Sequence, residues 1–533
     1  MHLWSQPIDP LHEPALSALA ATLPLVVVLV VMGVLRRPGY IAAISGLVCC
    51  FALACLVWGM PVNLAVASVG YGFVYALWPI LWIVFAALWL YNLSVETGKF
   101  DLLRCWMEQH ASGDLRVQAI MVAFCFGALL EGTAGFGAPV AVTAFLLVAL
   151  GFKASRAVAV SLIANTTPVA FGALGTPIVA LAAVTGLDQM KLSAMIGRQL
   201  PFMSLLLPAY LVIFLSGRKG LKDIWPATVV AGASFALTQF AVANYWGPYA
   251  VDVLAALTSI VALTIFLRFW KPKEIVRTGA GTPEKSGPRQ SLAESIAAWV
   301  PWALLALVMI VWSYFKIFTK LQISVPVPWL HNAVYISLYR KPYAAIYNFQ
   351  PLAAGTAALA ATIIAAVILR ASPRTFIRSG LATIRQLLLP GLTVVLIVAL
   401  SYTYNYSGMA FTLGAALASL GKWFPLASGL LGWVACFLSG SDTASNLLFG
   451  NLQVAAGHQL GISPVLLAAT NSSGAVTGKM ISPQNIAVGV ITVGLAGNEG
   501  GTLRDIFWHS MLLAAVLGVL AFAQAYVLRW MVP

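Results

Sequence analysis

Between Val117 and Leu150 the only acidic or basic side chain is Glu131, and between Trp423 and Gly457 the only one is Asp442. A carboxylate kept inside a long apolar segment is costly and usually functional. Burial favours its neutral form, so either residue could take up and release a proton. The structural alternative is a capping role, with Asp442 at the start of a helix and Glu131 against backbone donors. Around these acids stand Thr133, Asn165, Thr166 and Thr167 in the first half, and Ser441, Asn471, Ser472 and Ser473 in the second. Their hydroxyls and amides are the groups that would bind a small carboxylate. Lys479 is the one basic residue inside either region. It could pair with a bound carboxylate or with Asp442, or snorkel to an interface.

The elements that must position these residues follow from composition. Of 533 residues, 61% are hydrophobic and 9% charged, whereas a soluble domain is roughly a quarter charged. Apolar runs long enough to cross about 30 Å of hydrocarbon recur from end to end. They lie near Leu16 to Leu35, Ile41 to Met60, Phe73 to Leu93, Met203 to Leu215, Ala227 to Ala243, Val251 to Phe269 and Ile296 to Tyr314, then Leu352 to Leu369, Leu387 to Thr403 and His509 to Leu528. The reading is an all-α polytopic membrane protein with about 12–14 membrane segments, its solvent the lipid bilayer. The net charge of +14 sits in alternate short connections. These include Arg36 and Arg37, Lys99 to Arg116, Arg218 to Lys222, Lys271 to Arg289 and Arg370 to Arg385. By the positive-inside rule these loops are cytoplasmic, which accounts for the charge without nucleic acid. Asp9 and Glu13, with no basic n-region, argue against a cleaved signal, so the first span is expected to stay as an anchor. The six cysteines show no ligand spacing and read as reduced packing residues. Lys271 to Glu294 and Lys316 to Gln350 read as loops, and the residues specify no cofactor, metal or oligomeric state.

Two regions depart from the simple span pattern. The run from Val117 reaches Leu130 and meets Glu131-Gly132-Thr133-Ala134-Gly135-Phe136-Gly137-Ala138-Pro139, after only about 21 Å of helix. The late run ends at Ser439-Gly440-Ser441-Asp442-Thr443-Ala444-Ser445-Asn446. Each is followed by a second interrupted segment, at Asn165 to Pro177 and at Asn471 to Asn485. Gly132 precedes Gly440 by 308 positions and Asn165 precedes Asn471 by 306, a near-constant offset that points to an internal repeat. The basic loops put the start of the first broken segment inside and of the second outside, so the two units would be inverted. The chain is thus expected to be one transmembrane domain over 1–533. A first repeat region covers 71–216, with broken segments 117–150 and 157–186. A second, inverted one covers 385–530, with broken segments 423–457 and 462–497. Broken helices and re-entrant hairpins of this kind meet near the midplane and bind substrate there. Free N–H groups at the breaks suit an anion. The competing explanation is that glycines and small hydroxyl residues only allow close helix packing.

Other chemistries fit poorly. A phosphate loop fails at Gly474 to Met480, where the glycine spacing is wrong and Met480 replaces the magnesium ligand. Gly440-Ser441-Asp442 suggests half of an intramembrane aspartyl protease, but no Tyr-Asp pair supplies the other half. Arg198 reads as a membrane-edge residue, and Tyr402, Tyr404, Asn405 and Tyr406 as either cavity lining or an interfacial belt.

At Glu131 to Val142, Asn165 to Pro177, Gly197 to Met203, Ser439 to Asn446 and Thr477 to Ile486, besides Tyr71 to Trp82, the sequence resembles the L-lactate permease family of bacterial inner-membrane transporters. The resemblance extends to the closing Ala525-Tyr526-Val527-Leu528. It implies a secondary transporter, not an enzyme, importing L-lactate with protons through alternating access, with D-lactate and glycolate as further substrates. A channel or facilitator for small monocarboxylates, or a sodium-coupled carrier, stays open as the alternative. The resemblance assigns no binding residue, so the site above rests on the repeat.

Overall fold

The computed structural model describes residues 3–110, 113–135, 137–276, 290–338, 340–495 and 497–533. Phe136 of the first break, and Arg277, Lys285 and Arg289 of the basic connection, lie outside the described residues. Among the described residues ten helices are long and apolar enough to cross a membrane. A bent pair, Ala154–Ala164 and Val169–Thr185, adds one more span, and Ala138–Ala149 and Ala354–Ile368 are shorter apolar helices. The expected 12 to 14 segments are reached when these are counted with the ten. Helices dominate because each closes its own backbone hydrogen bonds, as a chain in hydrocarbon must. Leu115–Thr133 is the most enclosed of the ten, with 89% of its apolar window buried, against 33% for Gly39–Leu56. The helix carrying Glu131 is therefore in the middle of the bundle, surrounded by protein.

Both expected breaks are present. Leu115–Thr133 ends in a turn containing Gly137, whose φ of 83° favours glycine, and Ala138–Ala149 folds back beside it. Ala154–Ala164 then unwinds over Asn165 to Pro168 and bends by 64° into Val169–Thr185. Ala173 and Leu174 follow in left-handed conformation, φ 43° and 56°, at about 1–2 kcal/mol each. In the second unit Phe424–Ser439 turns at Gly440, φ 69°, into Asp442–Leu460. Pro464–Lys479 is separated from Pro483–Thr492 by a short break. The long segment Leu200–Tyr245 is divided by Gly217, placing Arg218, Lys219 and Lys222 at a turn as the basic cluster predicts.

The two helices of the second unit touch backbone to backbone. Gly429 and Gly432 of Phe424–Ser439 face Gly474 and Gly478 of Pro464–Lys479. A Cβ on Gly432 would collide with the Asn471 carbonyl, and one on Gly474 with the Gly429 carbonyl. Small residues three or four apart on facing helices permit this approach.

The segment 316–350 is not the plain loop expected. Ile323–Pro326 pairs antiparallel with Ile346–Phe349, while Val334–Ile336 pairs parallel with Trp4–Ser5 and antiparallel with Lys341–Pro342. Strands of two to four residues are too short to show a readable alternation, which explains the miss. This β cap rests on tyrosines: the Tyr71 hydroxyl donates to Ile346 O at 2.8 Å, and Tyr343 stacks on Tyr406 at 4.2 Å. At the opposite, basic face Arg116 is 1% exposed and joins three segments. It pairs with Asp114 at 2.8 Å and Asp223 at 3.0 Å and donates to Glu274 O at 2.9 Å.

Candidate functional site

Glu131 and Lys479 come from different broken units and meet. The Lys479 Nζ stands 2.6 Å from Glu131 Oε1, and the Asn165 Nδ2 donates to Glu131 Oε2 at 3.1 Å. Exposure is 2% for Glu131 and 7% for Lys479. At about 1.5 Å per residue, Glu131 is about 24 Å of helix from Leu115 and Lys479 about 23 Å from Pro464. Each residue is thus deep along its helix, and both are buried. Gly172 closes the pocket: a Cβ there would stand 2.7 Å from Glu131 Oε1. Of the readings open for Lys479, pairing with Asp442 and snorkelling do not fit this geometry. The first unit brings its own carboxylate to the lysine, and burial leaves no route to an interface. Removing one partner of such a buried pair typically costs about 3–5 kcal/mol.

Asp442 is held differently. Its Oδ2 accepts from the Ser472 hydroxyl at 2.8 Å, and its Oδ1 has no hydrogen-bond partner. Ser441, not Asp442, caps the helix, its hydroxyl accepting from Ala444 N; this corrects the capping alternative. From Ser472 a network runs onward. Asn446 Nδ2 donates to the Ser472 hydroxyl at 3.1 Å and to Pro177 O at 3.2 Å. Asn471 Nδ2 donates to Asn446 Oδ1 at 3.0 Å, and Gln453 Nε2 donates to Asn471 Oδ1 at 3.3 Å. The bond to Pro177 O ties the second break to the first unit's bent helix.

The remaining expected residues divide. The hydroxyls of Thr166 and Thr167 and the Asn165 Oδ1 are buried without a partner, available to a ligand. Ser473 turns away and donates to Gln199 at 2.7 Å. The Thr133 hydroxyl donates back to Leu129 O at 2.8 Å. Asn165, Thr166, Lys479 and Asn485 line one crevice. Asn485 also borders a cavity of about 560 Å³ that reaches from Arg36 and Arg37 to Ser439, Gly440 and Ser441. This cavity opens on the basic face. Arg198 donates to Asn244 Oδ1 and to Met531 O, each at 2.8 Å.

The family model for L-lactate permease matches residues 17–528. This chain belongs to the L-lactate permease family. It is 43% identical to the glycolate permease GlcA of Escherichia coli K12 and 42% identical to the L-lactate permease of Salmonella typhimurium, in each case over 100% of both chains. It is 40% identical to the L-lactate permease of Bacillus subtilis, over 99% of this chain and 100% of that one. Among solved structures it is similar to the Alcanivorax borkumensis YdaH transporter, with a TM-score of 0.45 and 15% identity over 87% of each chain. The permease is a multi-pass membrane transporter and not an enzyme.

Three residues of the permease's central region escape a reading of the sequence alone. Asn485 donates to Gly440 O at 3.2 Å and Lys479 O at 3.4 Å, joining the tip of the second hairpin to the end of the lysine helix. The interruption Ser482-Pro483-Gln484-Asn485 was the available signal. Asn446 lies in the motif after the second break, but its partners are 26 and 269 residues away. Asp252, 1% exposed, sits at the start of an unbroken span, where an acid looks like an ordinary helix-end residue. Together these groups give one ammonium, several carboxyls and unpaired hydroxyls around a buried centre. That chemistry suits exchange of one carboxylate for another at Lys479.

Proposed function

We propose that this permease imports L-lactate, and also D-lactate and glycolate, by proton symport through alternating access in a bacterial inner membrane. The observation that carries the reading is the Glu131–Lys479 pair at 2.6 Å, joining the two broken units. A substrate carboxylate entering the centre can take the place of Glu131 at Lys479. Glu131, displaced without a counter-charge, then requires a proton. One lysine thus alternates between the protein's carboxylate and the substrate's, and an anion crosses only with H⁺. The unpartnered Asn165 Oδ1 and the hydroxyls of Thr166 and Thr167 are suited to the substrate's 2-hydroxyl and carboxylate. Asp442, with one free oxygen, is a second proton site; Asn471 and Ser472 stand in the network beside it and Ser441 borders the cavity, whereas the Thr133 and Ser473 hydroxyls are engaged by Leu129 O and Gln199.

The names of the relatives support the substrate class. Inverted repeats over 71–216 and 385–530 would give the two units opposite entrances. The cavity from Arg36 to Ser441 is consistent with an inward-open state, with the tyrosines under the β cap closing the outer side. In purified form in liposomes, the permease is expected to concentrate labelled L-lactate when an inward proton gradient is imposed, with saturation and trans-stimulation. Accumulation driven by sodium but not protons would overturn the coupling. Flux that never saturates would replace the carrier with a channel.

A further inference from the structure

The centre contains a carboxyl that the exchange at Lys479 does not use. Asp252 is 1% exposed, and neither of its oxygens has a hydrogen-bond partner. It is packed against the first break: a Cβ on Gly132 would stand 2.7 Å from the Asp252 Cβ and 3.2 Å from Val253 N. The charged groups within its electrostatic reach are Glu131 and Lys479. Of the other elements packed on its helix, 172–185 carries no charged side chain, while 200–245 and 292–314 carry theirs, Arg218, Lys219, Lys222, Asp223 and Glu294, beside the basic loops. The helix that begins at Val251 follows a short connection in which Trp246 is exposed, at the face opposite the basic loops. Arg268 and Lys271 mark the other end of the same helix. Asp252 is thus one turn from the outer connection, against the residue next to Glu131.

We propose that Asp252 is a proton-relay residue, passing a proton from the outer connection to Glu131. An unpaired carboxylate in this setting would cost several kcal/mol, so the side chain is accommodated as the neutral acid while Glu131 is paired with Lys479. When a substrate carboxylate displaces Glu131, the proton moves from Asp252 to Glu131. Asp252 becomes the carboxylate, Glu131 the acid, and the total charge of the centre is unchanged. Asp252 then recovers a proton from the outer side. Only the O–H bond changes place, and no other reactant is required. The alternative is a structural role, in which the acid merely favours the helix N-terminus.

This inference rests on the proton-symport reading, and the test separates the two. In liposomes, wild type is assayed for proton-driven accumulation of labelled L-lactate and for counterflow, which needs no net proton movement. Failure of wild type to accumulate with a proton gradient would overturn the symport reading and the relay together. Given wild-type accumulation, Asp252→Asn is expected to keep counterflow within about 3-fold and lose accumulation by more than about 10-fold, while Asp252→Glu restores accumulation with a displaced pH profile. Asp252→Asn that accumulates like wild type would overturn the relay alone, as would equal loss of counterflow and accumulation. Should Asp252→Asn not insert, Asp252→Glu decides: an unchanged pH profile would overturn the relay.

Discussion

The two breaks hold carboxylates of similar burial in opposite company. Glu131 is neutralised by an ammonium contributed by the other unit, whereas Asp442 has one hydroxyl donor from its own unit and one free oxygen. The first break is therefore closed by charge and cross-links the halves. The second is held by a chain of neutral hydrogen bonds through Ser472, Asn446, Asn471 and Gln453 and borders the open cavity. Loss of a charge partner in a buried centre leaves an uncompensated ion, while loss of one neutral bond costs only about 1 kcal/mol. Two sites that look alike in sequence should thus fail in different ways.

The largest effect is expected for Lys479→Gln. It should lower uptake by at least about 100-fold and destabilise the fold by about 3–5 kcal/mol through the stranded Glu131. The double change with Glu131→Gln should recover the melting temperature but not transport. Thermal melts beside uptake assays check both, and an undiminished melting temperature in Lys479→Gln would remove the contrast. Glu131→Gln alone should lose proton-driven accumulation by more than about 10-fold while counterflow persists. Gly172→Ala, whose new methyl would press on Glu131 Oε1, should reduce uptake by roughly 10-fold with the protein still folded. For Asp442→Asn a stability change below about 1 kcal/mol is expected, because an amide oxygen still accepts from Ser472. Its half-saturation concentration should rise only several-fold; a collapse as deep as that of Lys479→Gln would make the two breaks equivalent. The smallest effect belongs to Arg36→Gln at the cavity rim, about 2-fold on half-saturation from the basic side and erased by added salt.

Much of this arrangement is legible in the chain. Span positions follow from apolar run length, and the breaks after Thr133 and at Gly440 stand out because glycines and polar residues interrupt the apolar runs. Glu131, Asp442, Asn165 and Lys479 stand out because charge and amides are rare there. The pairing of Lys479 is not legible, since it depends on how the two units dock, 348 residues apart. Thr133 and Ser473 carry the same chemistry as Thr166 and Ser472, but one bonds its own helix and the other faces Gln199. Hydroxyl direction follows from three-dimensional neighbours that spacing does not encode. Asp252 is hidden because it opens an intact span, and the β cap because its strands are too brief to leave a pattern.

The glycine contact between Phe424–Ser439 and Pro464–Lys479 has a mechanical consequence. With Gly432 and Gly474 leaving no side chains between the backbones, neither helix can slide or roll along the other without a steric clash. The hairpin tip and the lysine must therefore travel as one rigid lever. Any displacement of Gly440 would also carry the ammonium of Lys479, so the hairpin tip and the charge are geared together. A single methyl at Gly432 would force the lever apart at its hinge line.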